Sequence, residues 1–97
     1  MAAYLIANID VVDPALYEEY RKGVGATIAA HGGRFLARGG PIEVLEGDFD
    51  AKRVVVVEFP DAAALRAWYA SAEYQPLLRL RQRASRGMLM IVEGSDG

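Results

Sequence analysis

The sequence has no cysteine and one histidine, His31. No disulfide framework or thiolate metal site can form, and a single imidazole is a poor start for a transition-metal centre. No apolar run reaches the ~20 residues that a membrane-spanning helix needs. The opening MAAYLIANIDVVD has no basic segment and meets Asp10 before a leader core could form. Neither sign of charge dominates: 11 Lys and Arg against 13 Asp and Glu leave a net charge of -2, which provides no basic field for nucleic acid and no acidic tail. The glycines of GVG and GG have no phosphate-loop lysine, and Ser71, Ser85 and Ser95 lack a nucleophile-elbow context. These absences predict a soluble, cytoplasmic protein with no metal or cofactor, binding neither nucleic acid nor membrane.

What is present fits one domain. The 97 residues leave no room for a second, and the core is expected over about 3–94. Hydrophobic residues make up 53% of the chain, generous for a domain this small, and they hint at buried surface beyond its own core.

The elements follow from punctuation and period. YLIANIDVV, Tyr4 to Val12, reads as a strand. Asp13 is suited to cap a helix and Pro14 to its first position. Tyr17, Tyr20, Val24, Ile28 and His31 form one helical stripe, and Gly32 suits the left-handed residue that ends it. RFLAR is a second strand, broken or bulged at GGP and resumed as IEVLE. VVVVEF is a third. Asp61 caps a helix carrying Leu65, Trp68 and Tyr69 inward. Pro76 interrupts it, LLRLRQRAS continues as a further helical piece, and MLMIVEG is the last strand.

Strand, helix, strand, strand, helix, strand predicts an α+β, ferredoxin-like βαββαβ fold, with an antiparallel four-stranded sheet and the helices on one face. VVVVEF scarcely alternates, so both of its faces call for cover, and the chain has no residues left to provide it. A second copy packed sheet against sheet answers that need: a homodimer, giving a dimeric α/β barrel.

YLIANIDVVDPALYEEYR, HGGRFLARGG, EVLEGD, RVVVVEFP and AWYASAEYQPLLRLR together resemble the domain-of-unknown-function family 1330, from Tyr4 to about Gly94. The resemblance implies a dimeric α+β barrel. It supplies no reaction, because the wider group of such barrels includes cofactor-independent monooxygenases acting on aromatic polyketides, small-molecule isomerases, haem enzymes and ligand-binding domains.

His31 is the candidate catalytic residue, a general base near neutral pH. The plainer explanation is a residue in the last helical turn, where it complements the helix dipole. Arg38 is the candidate anion holder. Without a bulge, Arg34, Leu36 and Arg38 share one strand face, and Asp10 and Glu58 are the internal carboxylates available to them. Asn8 is a candidate for orienting a substrate, and Tyr20, Trp68 and Tyr69 for lining its pocket. Arg79, Arg83 and Arg86 fall on one helical face and Arg81 on another, and the set reads as a solvated face balancing nearby acids. Two classes of function stay open. One is a cofactor-independent enzyme of proton-transfer, isomerase or monooxygenase-like type, acting on a small organic acid or aromatic compound. The other is a non-catalytic ligand-binding or structural dimeric module. A solvent-reachable cavity holding His31 and Arg38 favours the enzyme and the ligand-binding module, and a filled interior favours the structural dimer.

Overall fold

The computed structural model describes residues 1–95. In chain order it contains β1 (Ala3–Val11), α1 (Pro14–Ala30), β2 (Arg34–Arg38), β3 (Arg53–Phe59), α2 (Ala62–Ala70), α3 (Gln75–Ala84) and β4 (Ser85–Glu93). The strands form one antiparallel sheet in the order β2-β3-β1-β4, and the fold is ferredoxin-like α+β. Within the described residues no helix is long and apolar enough to cross a membrane.

Local chemistry sets the helix ends where the sequence indicates. The Asp13 carboxylate accepts from the Leu16 amide at 3.1 Å, and that of Asp61 from the Ala64 amide at 2.8 Å, each satisfying a free first-turn donor. At the other end of α1, Gly32 takes φ +77°. The chain reverses there without the Cβ clash another residue would meet. A turn at residues 71–74 separates α2 from α3, and Pro76 sits within the first turn of α3, where its missing N–H costs nothing.

The helices cover one face of the sheet. Ala3, Leu5, Ala7 and Ile9 of β1 and Val57 and Phe59 of β3 are buried against Tyr17, Tyr20, Val24 and Ile28 of α1, Leu65 and Trp68 of α2, and Tyr74. The Cα trace is only 16 Å deep in its shortest dimension, which is one helix layer on one sheet. The opposite face shows Tyr4, Ile6 and Asn8 of β1 in register with Glu58, Val56 and Val54 of β3 and with Val92, Met90 and Met88 of β4. No element lies over it among the described residues, and Met88, Met90 and Val92 stay 40–45% exposed.

Three local expectations are corrected. Residues 42–46 do not resume β2: the chain leaves the sheet after Gly39, and Ile42, Val44, Leu45 and Phe49 are exposed. Pro41 can donate no ladder hydrogen bond, so the strand ends where the chain turns away. β4 begins at Ser85, three residues before MLMIVEG, because Val11 pairs with Ser85 and Asp10 with Arg86. β2 carries a bulge at Leu36: Phe35 pairs with Val57, Ala37 with Val56 and Arg38 with Val55. The extra residue inverts the parity after it. Arg38 therefore shares the helix-side face with Phe35, and Arg34 lies on the open face.

Candidate functional site

A cavity lies between α1, α2, α3 and the sheet. Its void is about 40 Å³, room for roughly two or three waters. Aliphatic side chains of β1 and β3 form its floor, with Phe35 and Trp68 beside them. Its polar lining comes from Tyr17, Tyr20, Arg21, Arg38, Arg53 and Arg81. The charged lining is therefore four guanidinium groups and no carboxylate.

Three of the arginines gather at one part of the wall. Arg38 lies over the Phe35 ring at 4.1 Å and donates through Nη2 to the Arg21 carbonyl at 2.9 Å. Partial burial, followed by the charges of Arg21 and Arg53, lowers the Arg38 pKa from its ordinary value. Arg53 opens β3 at the same parity as Val55 and Val57, so it points towards the helices. Its guanidinium carbon is 5.7 Å from the Tyr17 ring centroid. Its Nε is buried with no hydrogen-bond partner among the described residues. Gly39, at φ +72°, makes this placement possible, since a Cβ there would collide with Nη1 of Arg53.

The fourth arginine stands apart. Arg81 belongs to the inward stripe Tyr74, Leu77, Leu78, Arg81 and Ala84 of α3, and it is buried. Its Nε donates to the Tyr74 hydroxyl at 3.4 Å, and that hydroxyl is 3.0 Å from the hydroxyl of Tyr20. Burial, reinforced by the neighbouring Tyr74 phenol, raises the Tyr20 pKa well above its ordinary 10.0, so at neutral pH Tyr20 is a proton donor. The reading of Arg81 as part of a solvated face is corrected; Arg79 and Arg83 remain exposed, and Arg86 lies in β4 opposite Asp10.

Trp68 completes the inner wall. Its ring centroid is 4.1 Å from that of Tyr74 and 5.6 Å from that of Phe59. Its indole N–H donates to Thr27 Oγ1 at 3.0 Å, which donates in turn to the Val24 carbonyl at 2.7 Å. This chain fixes the indole against the floor.

The sequence-predicted residues do not all meet. Arg38, Tyr20 and Trp68 share the cavity. His31 lies outside its lining, at the C-terminal end of α1, with Nδ1 3.0 Å from the Thr27 carbonyl and Nε2 3.7 Å from the Glu73 carboxylate. Asn8 is on the open face, where Nδ2 donates to the Asp50 carbonyl at 3.0 Å and Oδ1 accepts from the Lys52 amide at 2.9 Å, tying the incoming loop to β1. Tyr69 lines a separate cleft of 240 Å³ with Leu5, Leu65, Leu89, Met90 and Ile91. Asp10 and Glu58 do not partner Arg38. Glu58 is 2.9 Å from Nε of Arg34 on the open face, and Asp10 is exposed there. Sequence reasoning missed Arg53 and Arg81 as cavity residues, and Tyr74 as the buried hydroxyl that joins Tyr20 to Arg81 behind the wall. The parity of RVVVVEF and the stripe running back from Ala84 to Tyr74 carried the signal. The described residues contain no group of three or more acidic or histidine side chains placed to hold a metal ion.

The chain belongs to the family described as Domain of unknown function (DUF1330), whose model matches residues 2–95. A comparison with curated protein sequences finds no match. Among solved structures, a protein of unknown function from Rhodopseudomonas palustris is similar at 17% identity and a TM-score of 0.78, over 99% of this chain and 84% of that one. SnoaB, a cofactor-independent oxygenase from Streptomyces nogalater, is similar at 17% identity and a TM-score of 0.66, over 99% and 95%. A dimeric ferredoxin-like protein of unknown function from Jannaschia sp. CCS1 is similar at 15% identity and a TM-score of 0.62, over 98% and 99%. At these identities the likeness establishes the fold.

Proposed function

We propose that this domain binds a small anionic or aromatic molecule in the cavity between its helices and its sheet. The observation that carries the reading is the lining: four guanidinium groups, no carboxylate, and a buried Arg53 Nε without a partner. A buried cation is costly unless an anion or hydrogen bonds compensate it, and guanidinium groups suit the planar geometry of a carboxylate, enolate or phenolate. Arg38 and Arg53 hold the charge, Tyr20 donates to a ligand oxygen, and Phe35 and Trp68 face its apolar body.

The domain acts as a homodimer, with open sheet face against open sheet face. Ile6, Val54, Val56, Met88, Met90 and Val92 form an apolar surface that one protomer leaves uncovered, and such a surface marks an interface. The dimeric ferredoxin-like neighbour supports this assembly.

Among enzyme reactions, the lining suits a cofactor-independent oxygenase-like reaction of a ligand that binds already ionised, as an enolate or phenolate. No imidazole or carboxylate lines it; His31 acts from its position beside Glu73 only if it is released from that contact. The oxygenase among the structural neighbours supports the same choice. The alternative is a non-catalytic ligand-binding or structural dimeric module, and the small void favours the structural form of it. Trp68 is the sole tryptophan and lies in the wall, so its emission reports occupancy. Titration with a panel of small carboxylates and phenols is expected to change that emission saturably for at least one probe, and Arg38→Gln with Arg53→Gln is expected to weaken it. A panel that leaves Trp68 unmoved throughout sinks the ligand site. Oxygen consumption with the bound phenols then separates oxygenase from binding module.

A further inference from the structure

Residues 39–52 join β2 to β3 with no regular structure, where about 2–5 residues suffice for a hairpin turn. Both ends of this loop are fastened. The Gly39 amide donates to the Val54 carbonyl at 3.0 Å, and the Asn8 side chain holds Asp50 and Lys52. Asn8 is on the open face, so the loop rejoins the sheet at that face, at the end where Val54, Asn8 and Met88 are in register. Between the fastenings the loop exposes Ile42, Val44, Leu45 and Phe49, with Leu45 86% exposed. Such a concentration of exposed apolar side chains marks a contact surface. Among them lie Glu43, Glu46 and Asp48, all exposed and without an ion pair among the described residues.

The complement of this acidic, apolar loop is a strand of the same sequence. β4 is an edge strand, and Met88 and Met90 are exposed on its open face. Arg86 follows the same parity, is exposed, and forms no ion pair among the described residues, although Asp10 lies opposite it. Two open faces stacked about a two-fold axis meet in one of two ways. An axis along the strands sets β2 of one copy over β4 of the other, with like ends together. An axis across the strands sets β2 over β2, with opposite ends together. The first brings the loop over Arg86 and Met88 of the second copy. The second brings it over Arg34 and Glu58, which already neutralise each other at 2.9 Å. We propose that the loop of each protomer closes over β4 of a second copy, with Leu45 and Phe49 on Met88 and Met90, and Glu43 and Glu46 facing Arg86. This inference rests on the face-to-face homodimer and fixes which strands meet in it.

Sedimentation equilibrium of the full chain and its variants tests the contact. Leu45→Ser with Phe49→Ser changes only exposed side chains, so the monomer is expected to keep its fold, and the dimer dissociation constant to rise roughly tenfold or more. Arg86→Glu is expected to weaken the dimer as well, and Glu43→Arg with Glu46→Arg in the same chain to restore part of the loss, since the charges are then exchanged across the interface. The chain has no cysteine, so introduced thiols report the arrangement directly. Leu45→Cys protein mixed with Met88→Cys protein is expected to form a disulfide between chains under mild oxidation. Mixed with Arg34→Cys protein it is expected to form none. Preferential cross-linking to Arg34→Cys would overturn the arrangement of strands. A wild-type dimer that the loop and Arg86 variants leave equally tight would overturn the loop contact and leave the homodimer standing. A wild type that is monomeric at micromolar concentration would overturn the homodimer and this inference with it.

Discussion

The guanidinium of Arg38 stacks over the ring of Phe35, three residues earlier on the same strand, at 4.1 Å. On a regular strand residues three apart point to opposite faces. The bulge between Phe35 and Ala37 makes the stack possible, and it turns Arg38 from the open face into the cavity. Deleting Leu36 removes the extra residue but leaves Phe35 opposite Val57, Ala37 opposite Val56 and Arg38 opposite Val55, now in strict alternation. Arg38 is then expected to keep its place in the cavity, and anion binding to stay within about twofold. Anion titration of the deletion variant checks this. A variant that folds but has lost anion binding would show that the bulge itself, and not the strand register, places Arg38.

The indole of Trp68 is satisfied by one acceptor, Thr27 Oγ1. Thr27→Val keeps the shape and removes that acceptor, leaving a fully buried N–H unpaired. The expected cost is about 1–3 kcal/mol, read from denaturant unfolding. A loss below a few tenths of a kcal/mol would mean that the indole finds another partner.

The raised pKa of Tyr20 predicts a pH dependence with a definite sign. Its phenol keeps its proton in the native state at pH values where the unfolded chain, near the ordinary 10.0, releases it. The stabilisation is therefore complete below pH 10 and is lost as pH rises past 10 towards the native value. The urea midpoint is expected to fall across the alkaline range, and less steeply in Tyr20→Phe. At pH 7 that variant is expected to lose about 1 kcal/mol through the broken contact with Tyr74. Parallel alkaline profiles for the two proteins would contradict the assignment.

The open sheet face predicts an oligomer that a single charge disrupts. Val56 pairs with Ile6 on one side and Ala37 on the other, at the middle of the apolar surface. Light scattering at micromolar concentration is expected to give twice the mass of the chain for the wild type and the single-chain mass for Val56→Asp. A monomeric wild type would leave the apolar face without its proposed cover.

Much of the fold was legible from local chemistry. Asp13 and Asp61 cap helices because short carboxylates reach free amides, Gly32 ends α1 because it tolerates φ +77°, and the stripe from Tyr17 to Ile28 is buried as a period of 3.6 requires. The site was legible only in part. Arg38, Tyr20 and Trp68 reach one cavity, but by separate routes. Tyr20 and Trp68 arrive by helical periodicity, and Arg38 by a bulge that RFLAR does not announce. Arg81 was hidden among four arginines whose spacing resembles a solvated face, and only the packing of α3 on α1 shows which one turns inward.

The sequence by itself determined the order of elements, their ends and the apolar stripe of each helix, because capping, backbone freedom and periodicity act over a few residues. It also determined that VVVVEF would carry apolar side chains on both faces, since alternation is a property of the strand alone, and the tertiary structure then set Val54 and Val56 on the face away from the helices. The tertiary structure decided which charges share a space. It separated His31 from the cavity, turned Arg38 and Arg53 into it across a strand pair, and brought Arg81 there from a helix late in the chain. Those meetings depend on register, a bulge and helix packing, each set by contacts between residues far apart in sequence, and no local pattern contains them.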